Sequence, residues 1–255
     1  MMRTVEKVSV KKSFTIKLIM AGLGISLLMF IDNAWEIKTA WSTESISIYY
    51  LFFNAIVFSG MMSSYLLPVL CCLPWNIKTV KSRNNNRSKV AKEKTWNFVM
   101  AVVSSGTAVC LGYAFFIGIF SLKFPFASDD VIEAGMTIFP YVSYSLSGYT
   151  GLHLFIILLN GFLLGALYGG ISITVALFTS NESVVILIPL MIRFLWIQLY
   201  RLFPVDYDVR IDYWLFMRTA CSEELQTPLF AILRVTLILF VFGMMYLLKS
   251  RQEAN

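Results

Sequence analysis

The sequence predicts an all-α integral membrane protein of six transmembrane helices, with both termini on the cytoplasmic side. Three observations lead there. Of 255 residues, 58% are hydrophobic and only 14% charged, with a mean hydropathy of +0.71. A soluble globular chain carries about 25% charge, so this one has too little to cover a water-facing surface. Six apolar runs approach or exceed the roughly 20 residues that cross a bilayer. Finally, Lys and Arg are concentrated at one set of boundaries between those runs. The net charge of +6 therefore reads as membrane orientation and not as a nucleic-acid surface. The polar stretches are too short to bury cores of their own, which leaves a single transmembrane domain over 1–255.

The first run, Ile16–Ile31, is the shortest and follows Arg3, Lys7, Lys11, Lys12 and Lys17. A signal peptide has the same outline. Asp32-Asn33-Ala34-Trp35 offers no clear small-x-small cleavage site, so the run is expected to be a retained helix extended into its flanks. The second run, Ile48–Leu73, ends between Pro68 and Pro74, which favours a break in the helix there. A basic loop, 74–96, follows. It opens on Trp75 and Ile77, holds Lys78, Val80, Lys81 and Arg83, and ends on Lys92, Lys94 and Trp96 with Glu93 as its single acid. That composition fits a short amphipathic segment lying at the interface.

The remaining runs are Phe98–Phe120, Leu152–Phe178, Val184–Phe203 and Leu229–Leu248. Loop charge orients them. The N-terminus, the 74–96 loop, the Thr179–Ser183 turn and Lys249-Ser250-Arg251 fall on one face. The other face receives Asp32–Ser47, Ser121–Gly151 and Pro204–Pro228, in each of which acids outnumber bases. Lys and Arg crowd cytoplasmic loops, so the basic face is expected inside. The Asn-x-Ser sites at Asn86 and Asn181 would then escape glycosylation.

Within the fourth run Gly161, Gly165 and Gly169 recur every four residues on one helical face, two overlapping small-xxx-small motifs. Another helix can approach closely there, from the same chain first of all or from a second subunit. Arg193 stands near the middle of the fifth run and Arg234 nearer the outer end of the sixth. A mid-membrane arginine costs at least ~2.5 kcal/mol unless paired or wetted. Arg193 is therefore expected to face the bundle interior, a subunit interface or a cavity, as an interhelical anchor or as part of a pathway; Arg234 has the option of snorkelling. No nucleotide-binding P-loop is written in the chain, and His153 is its only histidine. The four cysteines have no metal-site spacing. The composition thus implies no catalytic set, no cofactor and no metal.

With these features in view, "YLLPVLCCLPW" (Tyr65–Trp75), Arg87-Ser88-Lys89, Lys94 and the glycine-rich "NGFLLGALYGGISITVALFTSNESVVILIPLMIRF" (Asn160–Phe194) resemble the ABC-2 type permease subunits of bacterial ATP-binding cassette exporters. The likeness is to small Gram-positive permeases near peptide-antibiotic immunity transporters. It covers most of the chain through degenerate motifs. It implies a type V exporter-like permease architecture and a dimer with a second copy or a paralogue. It also implies a coupling helix in the 74–96 loop, with Trp75, Ile77, Lys78, Val80 and Lys81 meeting a separate ATP-binding subunit. The substrate implied is amphipathic, a peptide antibiotic or a lipid-like molecule, moved within or out of the plasma membrane. The chain departs from that group in having Trp75-Asn76-Ile77 where acidic and glycine residues usually follow the Leu-Pro. The competing expectation is a membrane assembly or sensory subunit that binds a cytoplasmic partner without transport.

Overall fold

The computed structural model describes residues 2–32, 34, 35, 37, 38, 48, 87–124, 150–179, 181–202 and 228–252. Five helices organise them: α1 (Met2–Asp32), α2 (Arg87–Phe120), α3 (Thr150–Val175), α4 (Glu182–Leu202) and α5 (Pro228–Gln252). Among the described residues there is no strand. Lys94–Phe120, Thr150–Val175 and Ile232–Lys249 are long and apolar enough to cross a membrane, and Thr15–Ile31 is a shorter apolar stretch. The protein is thus all-helical in its described part, with helices suited to a bilayer. The expected second span, 48–73, lies outside the described residues apart from Ile48, which is buried.

The helix ends follow local chemistry. Pro228 opens α5, where a missing amide hydrogen costs nothing. Asn181 caps α4: its Oδ1 accepts from the Ser183 amide at 3.0 Å, and its carbonyl accepts from the amides of Val184 and Val185 at 3.1 and 3.2 Å. Thr179 Oγ1 accepts from the Asn181 amide at 3.1 Å. The α3–α4 connection is therefore a short hydrogen-bonded hairpin. After α2 the chain turns at Ser121–Phe124 and meets Pro125, which cannot continue a helix.

Two helices extend beyond their apolar runs. α1 starts at Met2, well before Ile16, and α2 starts at Arg87, well before Phe98. The basic loop expected over 74–96 is shorter for that reason, since Arg87–Trp96 belongs to α2. Its Ala91, Lys92, Glu93 and Lys94 are strong helix formers. They carry no apolar period, so pattern alone leaves them in a loop.

Packing fixes directions. α2 and α3 share the most extensive contact, followed by α1 and α2, and then α5 against α3 and α2. Tyr113 lies against Gly161, and Ser105 with Ala101 lies against Gly169, so α2 and α3 are antiparallel. Gly22 meets Leu111 and Gly112, while the rings of Phe30 and Phe120 stack with centroids 6.1 Å apart, so α1 and α2 are parallel. Leu239 lies against Gly170 and Lys249 over Phe178, so α5 runs parallel to α3. Phe98 of α2 meets Gly243 and, at 5.5 Å between centroids, Tyr246 of α5.

α3 is the centre: 72% of its apolar stretch is buried, against 11% for α5. Leu163, Leu164, Leu167, Tyr168 and Ile171 form its core with Val235 and Tyr246 of α5. The outer faces are apolar too. Leu233, Leu237, Phe240, Met244 and Leu248 are exposed along one side of α5, as are Ile16, Met20, Leu23, Leu27 and Ile31 on α1. Such continuous apolar surface suits lipid, not water.

The parallel packing of α1 and α2 is open to direct test. Phe30→Cys with Phe120→Cys is expected to form an oxidative cross-link within one chain in membranes. Cross-linking of Phe30→Cys to Phe98→Cys instead would reverse the assigned direction.

Candidate functional site

Of the residues singled out by the sequence, Gly161, Gly165 and Gly169 fall on a seam within the apolar layer, and a basic face lies at the edge of that layer. The seam is built from small residues. A Cβ on Gly161 would stand 2.5 Å from the Tyr113 ring, and one on Gly169 2.5 Å from Ser105 Oγ and 3.0 Å from the Ala101 carbonyl. A Cβ on Gly165 would collide with the Ser105 carbonyl oxygen and come within 2.7 Å of Val109. All three glycines face α2, so their contact is within the chain. Gly106 of α2 returns the fit, receiving Phe162 at 2.8 Å from its missing Cβ.

A second seam escaped the sequence reading. Gly112 meets Ile25, and Gly22 meets Leu111, with a hypothetical Cβ at 2.5 and 2.8 Å respectively. The signal was available. Ser104, Ala108 and Gly112 recur every four residues on α2, and Gly22 and Ser26 do so on α1. All five are buried. Small residues of mixed type carry the same closeness as glycine, because lipid supplies no hydrophobic drive and helices associate by contact.

Polar groups in the seam are mostly satisfied by their own helix. Ser104 donates to the Ala101 carbonyl at 3.0 Å and Thr174 to the Gly170 carbonyl at 2.8 Å. Such back-bonding hides a hydroxyl without a partner helix. Among the described residues, Asn160 Oδ1 and Ser172 Oγ are buried side-chain oxygens with no hydrogen-bond partner. They are 12 positions apart on α3, about 18 Å along the axis, and do not form one site.

Arg234 is half-buried and engaged with a partner, so it does not extend freely into lipid. Arg193 lies on α4 one turn after Pro189, with its side chain outside the described residues. Trp75, Ile77, Lys78, Val80 and Lys81 also lie outside them.

The basic face is assembled by the helix directions. The starts of α1, α2 and α4 and the ends of α3 and α5 share one side. Lys249 Nζ stands 5.8 Å from the Phe178 ring centroid, tying the end of α5 to the α3–α4 hairpin. Among the described residues no group of three His, Cys, Asp or Glu side chains converges on a metal position. No family model, curated protein or solved structure matches the chain.

The seam predicts a position-specific cost. Gly165→Leu meets backbone on α2 and is expected to destabilise the α2–α3 pair by ~1–3 kcal/mol or more, measured by steric-trap unfolding in bicelles. Gly118→Leu, where a Cβ meets nothing within 4 Å, is expected to change stability by under about 0.5 kcal/mol.

Proposed function

We propose that the chain is the membrane-spanning permease subunit of an ATP-binding cassette exporter of the ABC-2 type. In this reading it has six spans, sits in the plasma membrane, keeps both termini in the cytoplasm and moves an amphipathic substrate such as a peptide antibiotic or a lipid-like molecule. The observation that carries the reading is the parallel packing of α1 against α2. Two parallel neighbours need an odd number of membrane crossings between them. The intervening residues 33–86 contain one apolar run long enough, 48–73. The antiparallel α2 and α3 need no further crossing between them, nor do α4 and α5. Six spans follow.

Those directions bring the basic start of α1, the first turns of α2, the α3–α4 hairpin and Lys249 to a common face, and in this reading the 74–86 loop joins them. By the positive-inside rule that face is cytoplasmic. A partner ATPase would meet it there, because the chain has no P-loop of its own. The contact is assigned to the 74–86 loop, with Trp75, Ile77 and Val80 as apolar anchors and Lys78 and Lys81 beside them. α2 gives that contact a mechanical outlet. It is one continuous helix of 34 residues, about 50 Å long, running from Arg87 to the seams with α1 and α3. Displacement of its basic end would move both seams. A second copy or a paralogue would complete the translocation path.

The ATPase contact is testable by co-purification. Buried aromatic and aliphatic anchors dominate interfaces, and exposed ion pairs are worth only ~0–1 kcal/mol. Trp75→Ala with Ile77→Asp is expected to release the ATPase while the chain stays in the membrane. Charge reversal at Lys78 and Lys81 is expected to weaken docking less, and chiefly at low salt. Full ATPase retention by the Trp75/Ile77 variant would contradict the assignment.

A further inference from the structure

A buried acceptor on α3 and a cation on α5 flank one groove within the apolar layer. Asn160 is 7% exposed, and its Oδ1 has no hydrogen-bond partner. A buried acceptor without a donor is costly, and the few that occur call for an explanation. Asn160 stands four, seven and eleven residues before Leu164, Leu167 and Ile171, on the stripe of α3 that forms the core with Val235 and Tyr246 of α5. That stripe is turned away from the α2 seam, since Asn160 lies about 140° round the helix from Gly165.

α5 brings Arg234 to the same groove. Leu239 lies against Gly170 and Lys249 over Phe178, offsets of 69 and 71 in residue number, so the start of the Arg234 side chain is level with Leu164 and Gly165. Helix side chains lean toward the N-terminus, so an arginine here covers the turn before it, at the level of Asn160. Ile238, one turn after Arg234 on the same face, packs against the α3 core, while Phe98 of α2 covers the other flank of α5 at Gly243 and Tyr246. Arg234 is half-buried and engaged with a partner other than Asn160 Oδ1. Its guanidinium carries five donors, more than one acceptor atom satisfies. Leu233 and Leu237 beside it are exposed, so the groove is reached from the lipid.

The two side chains make complementary demands. The guanidinium fork holds an anionic oxygen, and the Asn160 oxygen accepts from a hydroxyl or an amine. Resident phospholipid heads stay at the membrane surface. A head at the level of Gly165, the middle of the apolar run Leu152–Phe178, is one in passage. We propose that Arg234 and Asn160 bind the head of an anionic amphiphile crossing the bilayer, with its phosphate on Arg234 and an adjacent hydroxyl donating to Asn160 Oδ1. The inference rests on the permease reading and narrows its substrate class to amphiphiles whose head joins an anion to a hydrogen-bond donor.

The test uses the full chain, without an ATPase, in phosphatidylcholine nanodiscs holding equal amounts of phosphatidylglycerol and phosphatidylmethanol of the same chain length. The two probes share the phosphate and differ in the head hydroxyls. Lipids retained on release into the gas phase are counted by mass. The wild type is expected to retain phosphatidylglycerol over phosphatidylmethanol about fivefold, the worth of one hydrogen bond. Asn160→Leu is expected to lose that preference and to keep phosphatidylmethanol as the wild type does. Arg234→Gln is expected to lower both probes several-fold relative to phosphatidylcholine, and Arg234→Lys to lower them less. The preference is a ratio within each variant, so altered packing does not mimic its loss. A wild type without it, an Asn160→Leu variant that keeps it, or unchanged retention of both probes by Arg234→Gln overturns the proposal. The expected pattern in a chain that captures no ATPase keeps the site and contradicts the permease; a captured ATPase with no head-group preference contradicts the site alone.

Discussion

Where α2 crosses α3, helix backbone lies almost directly on helix backbone, with Gly165 against the Ser105 carbonyl and Gly169 against Ser105 and the Ala101 carbonyl. The rest of the structure depends on that closeness. In lipid there is no hydrophobic gain from hiding one apolar helix behind another, so stability comes from dispersion contacts, which weaken steeply with distance. Removing side chains from the seam brings many atoms into range at once. Ser104 and Thr174 can be buried among the helices because each hydroxyl is bonded to its own helix. Tyr113 and Phe116 of α2 are fully buried, with the Tyr113 ring against Gly161.

The same contacts set the directions of the helices, and the directions carry the functional argument. With α1 parallel to α2 and α3 antiparallel to both, the lysine-rich ends gather on one side without any further assumption. A partner on that side would touch segments that belong to three helices of the bundle. The long rod of α2 connects them to the seams. The proposed permease differs from a passive anchor in this respect: the basic face and the intramembrane packing share one rigid element.

Much of this is written in the sequence in forms that differ in legibility. The apolar lengths that give α3, α5 and the upper part of α2 are plain, because every backbone polar group in lipid must be bonded within its own helix. The stripe of Gly161, Gly165 and Gly169 is equally plain as a place of close approach. Its partner is not, since periodicity describes a face and not what lies against it. The extension of α1 into its flank was expected, but the first turns of α2 were missed as helix because polar residues of high propensity carry no apolar period. Ser104, Ala108 and Gly112 were missed as a seam because serine and alanine do not stand out as glycine does. Arg234 reads from sequence as close to the surface, yet the pairing of Leu239 with Gly170 and of Lys249 with Phe178 sets it near the level of Gly165. Depth is a property of register between helices, and no single helix contains it.

The central claim is that a single crossing separates α1 from α2, so that residues on either side of α2 face opposite compartments. Single cysteines at Asn85 and Asp130 in an otherwise cysteine-free chain, treated with a membrane-impermeant maleimide in intact cells and in inverted vesicles, test it most directly. The account predicts labelling at Asn85 only in inverted vesicles and at Asp130 only in intact cells. Labelling of Asn85 in intact cells, or of both positions from the same side, would contradict it.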